Sequence, residues 1–198
     1  QAREGIFAFI NKGRGQFDLR PLLIFPPSHG SSSFAIVDLN SDPYPDLVVT
    51  TGDNGDYEEP PYKPYHGTYF YTGSKSGDYT QVDFIPMYGA YGALYQDFDL
   101  DGTKDLLSFS FFPQLEQGDA GLVQLHTSVT GARRSFTVDQ AITGRWLVSD
   151  VADVDKDGDL DVILGNFSMG PWYPTGLVRD RWTTGGRAAM VLRNQTRP

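Results

Sequence analysis

Apolar and polar positions alternate along short segments of this chain, and the segments are rich in aromatic and β-branched residues. That alternation has the period of a half-buried strand, because successive side chains of a strand point to opposite faces. Gly, Pro, Asn and Ser punctuate the joins, and no window carries a convincing helical period. The expectation is an all-β fold with strands of four kinds. One kind enters an acidic stretch (Phe34 to Val37, Ala93 to Gln96, Trp146 to Val151) and a second leaves it (Leu47 to Thr50, Leu106 to Phe112, Val162 to Leu164). A third opens on Gly5, Gly67 or Gly121, with a last copy at Ala189 to Asn194. A fourth spans Phe17 to Phe25, Tyr79 to Met87 and Phe136 to Ile142.

This order repeats. The acidic stretches begin at Asp38, Asp97 and Asp153, 59 and 56 residues apart, and the third kind of strand keeps step with them. Four antiparallel strands in a unit of roughly 55 residues predict the blades of a β-propeller. On that reading residues 1–30 end one blade, 31–88 and 89–143 are complete blades, and 144–198 are a blade lacking its last strand. About three to three and a half blades do not close a ring, which takes at least about four. The chain is therefore expected to be a segment of a roughly seven-bladed propeller, its open sheet edges completed by the remaining blades or by another chain.

The acidic stretches carry the candidate chemistry. Asp38 to Asp46 reads DLNSDPYPD, Asp97 to Asp105 reads DFDLDGTKD, and Asp153 to Asp161 reads DVDKDGDLD. Carboxylates this closely spaced repel one another unless a cation lies among them. Calcium takes roughly six to eight hard oxygen ligands, which Asp side chains on a tight loop supply. Loop positions one, three, five and nine are the expected side-chain ligands, and position seven contributes its carbonyl. In the second loop these are Asp97, Asp99, Asp101, Asp105 and Thr103; in the third they are Asp153, Asp155, Asp157, Asp161 and Asp159. Gly102 and Gly158, at position six, allow the positive φ that a loop curling round an ion requires.

The first loop, with Asp38, Asn40, Asp42 and Asp46, has an amide in place of one carboxylate and Pro43 in place of the glycine. It is expected to turn differently and to bind weakly or stay empty. Two well-formed Ca2+ sites follow, with Mg2+ an alternative occupant. Zinc is disfavoured by ligation without His or Cys. An EF-hand fails because its position twelve needs Glu, and here that position is Val49, Ser108 or Leu164 between β-type flanks. The ions also change how the charge reads. The three loops hold 12 of the 25 acidic residues, so one divalent cation in each would bring the net charge from -9 to about -3. No basic stripe for nucleic acid remains, and no apolar run is long enough to predict a transmembrane segment.

With Val37 before Asp38, and Leu or Val after each loop, these stretches resemble the FG-GAP/VCBS repeats of integrin-α-like β-propellers over nearly the whole chain. The Phe-Gly and Gly-Ala-Pro elements are not intact, so the likeness is to the VCBS-like branch. The resemblance implies about seven blades, calcium between the first and second strands of a blade, and a secreted or cell-surface protein.

In an up-and-down blade the connection after each acidic loop is expected at the opposite end of the sheet. The first such connection carries Asp53, Tyr57, Tyr62 and His66, and the third carries Trp172, Tyr173, Arg181 and Trp182. Exposed rings beside acids and arginines suit a protein or glycan partner, although the same rings could instead tuck between blades. Catalysis has little support, since His29, His66 and His126 lie far apart in sequence and no nucleophile elbow is present. An enzyme reading, part of a polysaccharide lyase for example, would use His66 with Tyr62 or Tyr65 and a loop carboxylate. The sequence favours a non-catalytic scaffold.

Overall fold

The computed structural model describes residues 4–57, 61–113, 122–127, 133–168 and 176–197. Among them the chain forms strands β1 (Glu4–Gly13), β2 (Gln16–Phe25), β3 (Ser31–Val37), β4 (Asp46–Thr51), β5 (Gly67–Gly73), β6 (Tyr79–Pro86) and β7 (Ala90–Gln96). It continues with β8 (Asp105–Ser110), β9 (Val123–Thr127), β10 (Arg134–Thr137), β11 (Trp146–Ala152), β12 (Asp161–Asn166) and β13 (Ala189–Leu192). These make four antiparallel sheets in which sequential strands are neighbours: β1-β2, β3-β4-β5-β6, β7-β8-β9-β10 and β11-β12-β13. We call them sheets one to four.

The sheets stack face to face, and the second strand of each full sheet explains how. β4 and β8 are buried along their whole length. Strands covered on both faces read as near-continuous apolar runs, as Leu47-Val48-Val49 does. Leu47 and Val49 pack with Ile6 and Phe25 of sheet one, while Val48, on the other face, packs with Leu106 of sheet three. Leu107 and Phe109 then meet Trp146, Val162 and Leu164 of sheet four. The first strands lie side by side, β3 against β7 and β7 against β11.

The structure departs from the expected strands in three places. β8 stops at Ser110, and Phe111 and Phe112 leave the sheet to pack on Tyr91. The strand expected over Phe136 to Ile142 ends at Thr137, and a 3-10 helix follows at Asp139–Thr143. A local side-chain bond holds that turn, since the Trp146 indole Nε1 donates to the Ala141 carbonyl at 2.9 Å. Finally, a short helix, α1 (Leu177–Gly185), stands where no helical period was legible. Of its described side chains only Trp182 is buried, so there is no apolar stripe to read.

Candidate metal centres and the opposite loop surface

Each acidic loop joins the first two strands of a sheet, and strand register places it at one end. In sheet two Val37 stands opposite Asp46 beside the loop, whereas Ser31 and Thr51 pair at the far end. The three loops share a backbone device that the sequence does not announce. Position four adopts a left-handed conformation in each, at Ser41 (φ 61°), Leu100 (59°) and Lys156 (66°), although none is glycine. Gly102 (φ 89°) and Gly158 (φ 95°) add the second positive φ expected at position six. Pro43, confined to negative φ, gives the first loop a different turn.

Position nine does more than was expected of it. Asp46, Asp105 and Asp161 are fully buried. Each accepts a hydrogen bond from the backbone N–H of position two: Leu39 at 2.7 Å, Phe98 at 2.8 Å and Val154 at 2.9 Å. Asp46 also takes the N–H of Gly73, and Asp161 that of Asn194, both at 2.8 Å. In sheets two and four the carboxylate thus clips the loop to the end of the third strand before any ion is considered, and Asp105 takes a second N–H of its own loop, that of Asp99.

In loops two and three the carboxylates of positions one, three and nine come together. Ligand oxygens of Asp97, Asp99 and Asp105 lie within 4.8 Å of one another, as do those of Asp153, Asp155 and Asp161. Oxygens bound to one calcium ion at about 2.3–2.6 Å sit no more than about 5 Å apart, so both triads fit such an ion. In loop two, Asp97 Oδ1 is buried without a hydrogen-bond partner, an exposed demand for a cation at that atom. In loop three, loss of hydration and the charge of Asp157 push the Asp155 carboxyl above the ordinary carboxylate range. Arg193, 3.4 Å away, pulls it back, and Asp161 and Asp153 raise it further.

Asp101 and Asp157, expected as ligands at position five, lie outside these triads and accept the N–H of Thr103 and Asp159. The Asp159 side chain, expected to contribute only its carbonyl, is itself buried. Its Oδ2 accepts the Arg197 N–H, and its Oδ1 has no partner. In the first loop the Asn40 amide donates to Asp42 at 2.7 Å, while Asp38 accepts the N–H groups of Asn40 and Ser41. An internal donor there fills the role that a cation would take.

At the other end of sheet two, the connection after β4 carries a second cluster. Tyr62, 62% exposed, stacks on Tyr88 with centroids 5.7 Å apart. Lys63 lies 4.6 Å over the ring of the exposed Tyr57, and its Nζ donates to the Ser28 carbonyl. Asp53 is exposed and caps the Gly55 N–H. Beneath them Asn54 donates to the Tyr88 hydroxyl at 3.0 Å, and Asn54 Oδ1 has no partner.

His66 belongs to this layer and not to the surface. It is 1% exposed, and Nδ1 accepts the Gly89 N–H at 3.4 Å. Burial, with Lys63 and His29 nearby, pulls its pKa down to about 4. His29 stacks on Tyr65 at 4.7 Å, and burial lowers its pKa too.

Trp182, expected to face a partner, is also buried. Its indole donates to the Ile142 carbonyl at 3.0 Å, and its ring lies near the fully buried Arg145 guanidinium, which covers Phe111 at 3.8 Å. A large ring gains more from that packing than from water. Arg181 is exposed on α1, and Trp172 and Tyr173 lie outside the described residues. Searched against protein-family models and against curated proteins, the sequence matches none.

Proposed function

We propose that the chain is a calcium-binding, non-catalytic β-propeller segment of a secreted or cell-surface protein, acting as a scaffold for a protein or glycan partner. The observation that carries this reading is the pair of acidic triads, built by the same loop in two consecutive sheets and clipped by the same buried carboxylate. Side-by-side first strands and face-to-face sheets support the blade arrangement. Asp97, Asp99 and Asp105 would hold one ion and Asp153, Asp155 and Asp161 another. Each ion would supply charge neutralisation, letting mutually repelling carboxylates lie close at the sheet end.

The partner surface is the opposite end of sheet two, where Tyr57 and Tyr62 present rings beside Asp53. His66 supports the scaffold reading over acid/base chemistry, because its imidazole is enclosed and neutral near pH 7.

Thermal unfolding in calcium and in chelator tests the metal reading. Extracellular calcium modules bind with Kd of about 0.1–1 mM. An ion at ten times its Kd stabilises by roughly 1.4 kcal/mol. Two filled sites should raise the Tm by about 5–10 °C in a chain of this size. An unchanged Tm overturns the proposal.

A further inference from the structure

We infer that the ion sites of loops two and three are energetically coupled, with Asn194 carrying the effect of an ion in one loop to the other. The inference rests on the calcium reading and extends it to how the two ions influence each other. Its basis is a chain of hydrogen bonds that runs from one triad to the next. The Asn194 N–H donates to Oδ1 of Asp161, a carboxylate of the loop-three triad, at 2.8 Å. The Asn194 side chain then reaches loop two, where Nδ2 donates to the Phe98 carbonyl at 2.7 Å. Phe98 in turn gives its own N–H to Oδ2 of Asp105, a carboxylate of the second triad, at 2.8 Å. Phe98 also stands between Asp97 and Asp99, the other two members of that triad.

Neighbouring contacts fix this path in place. The Thr196 N–H donates to Asn194 Oδ1 at 3.1 Å, which turns the amide so that Nδ2 faces the loops. The same Nδ2 donates to the carbonyl of Leu160, next to Asp161, at 3.3 Å. The buried Phe98 ring packs with Val162 and Leu164, the strand that leaves loop three. Sheet two shows that the Asn194 side chain is an addition to the repeat. Gly73 occupies the equivalent position and donates its N–H to Asp46 in the same way, but it has no side chain to reach a neighbouring loop. Each bridged loop also buries a carboxylate oxygen without a hydrogen-bond partner, Asp97 Oδ1 in loop two and Asp159 Oδ1 in loop three, so both have a use for an ion. A loop of mutually repelling carboxylates opens more readily than one that holds a cation. The bridge needs Phe98 and Leu160 in place together, so an ion that orders either loop lowers the ordering cost of the second ion. The effect is reciprocal by linkage.

Amide hydrogen exchange and calcium titration of the 198-residue protein test the coupling. In Asp99→Asn, which keeps only the loop-three site, calcium is expected to slow exchange across loop two by about fivefold, as well as slowing loop three itself. Adding Asn194→Ala is expected to confine the slowing to loop three. By calorimetric titration, the Kd of loop two is expected to be about fivefold weaker in Asp155→Asn, where loop three stays empty, than in the wild type. The two Kd values should agree within about twofold once both proteins carry Asn194→Ala. Thr196→Val, which removes the hydroxyl donor to the Phe98 carbonyl and leaves Asn194 in place, is a milder second variant and should reduce the fivefold ratio. Folding of each variant is checked by circular dichroism. Two bound ions with no difference between the Kd values, a ratio that neither bridge variant reduces, or no slowing across loop two overturns the coupling and leaves the metal reading standing. No calcium bound to the wild type overturns both.

Discussion

At the residue scale, the loop aspartates divide into two kinds that substitution will separate. Asp105 and Asp161 are buried and bind backbone N–H groups as well as belonging to the triads. Asp105→Ala is expected to cost about 1–3 kcal/mol even in chelator, because it leaves buried N–H groups unpaired. Asp99→Asn, at an exposed position, is expected to leave chelator-treated stability within about 0.5 kcal/mol of wild type and to abolish the calcium gain of its loop. Urea unfolding of both variants, with and without calcium, checks the division; equal losses in chelator would contradict it.

His66 gives a pH prediction. Its folded pKa, about 4, lies below the ordinary value of 6.5, so the unfolded chain binds the extra proton first. Its contribution is whole above pH 6.5 and is lost as the pH falls from there to about 4. In chelator, His66→Gln should flatten the urea midpoint over that window; an unchanged slope would refute the assignment.

At the element scale, strands were legible because alternation and turn residues are local signals, and the loops because acid spacing repeats in phase. What escaped sequence reading rests on side-chain contacts that no local pattern announces. The 3-10 turn after β10 depends on the Trp146 indole, five residues beyond Ala141, and α1 on one buried ring that reaches Ile142, 40 residues away. The position-nine clip was hidden because the same aspartate also reads as a metal ligand, and His66 because a loop position says nothing about burial. Trp182→Ala should therefore cost about 3–5 kcal/mol, as truncation of a core tryptophan does. A loss below about 1 kcal/mol in denaturant unfolding would return Trp182 to the surface.

The segment after β13 is a second such element. Asn194 Nδ2 donates to the Phe98 carbonyl of loop two at 2.7 Å and to the Leu160 carbonyl of loop three at 3.3 Å. Thr196 Oγ1 also donates to the Phe98 carbonyl. Asn194→Ala should lower stability by about 1–2 kcal/mol. It should also speed amide exchange in both loops. Faster exchange in loop three alone would show that the bridge does not join them.

At the scale of the whole molecule, chemistry separates along the strands. One end of sheets two, three and four gathers the acidic loops, and the other end of sheet two carries the exposed rings of Tyr57 and Tyr62 above the buried His66. The stack also ends on apolar surfaces, with Phe9 opposite Leu19 exposed on sheet one and Val148 exposed on sheet four.

Two of the three acidic loops are proposed as cation sites, and calcium stoichiometry at equilibrium tests that proposal most directly. Two ions per chain are expected at about 10 mM free calcium, at least ten times the expected Kd, falling to one in Asp99→Asn, one in Asp155→Asn and none in the double variant. No bound calcium, or two ions still bound in the double variant, would contradict the account.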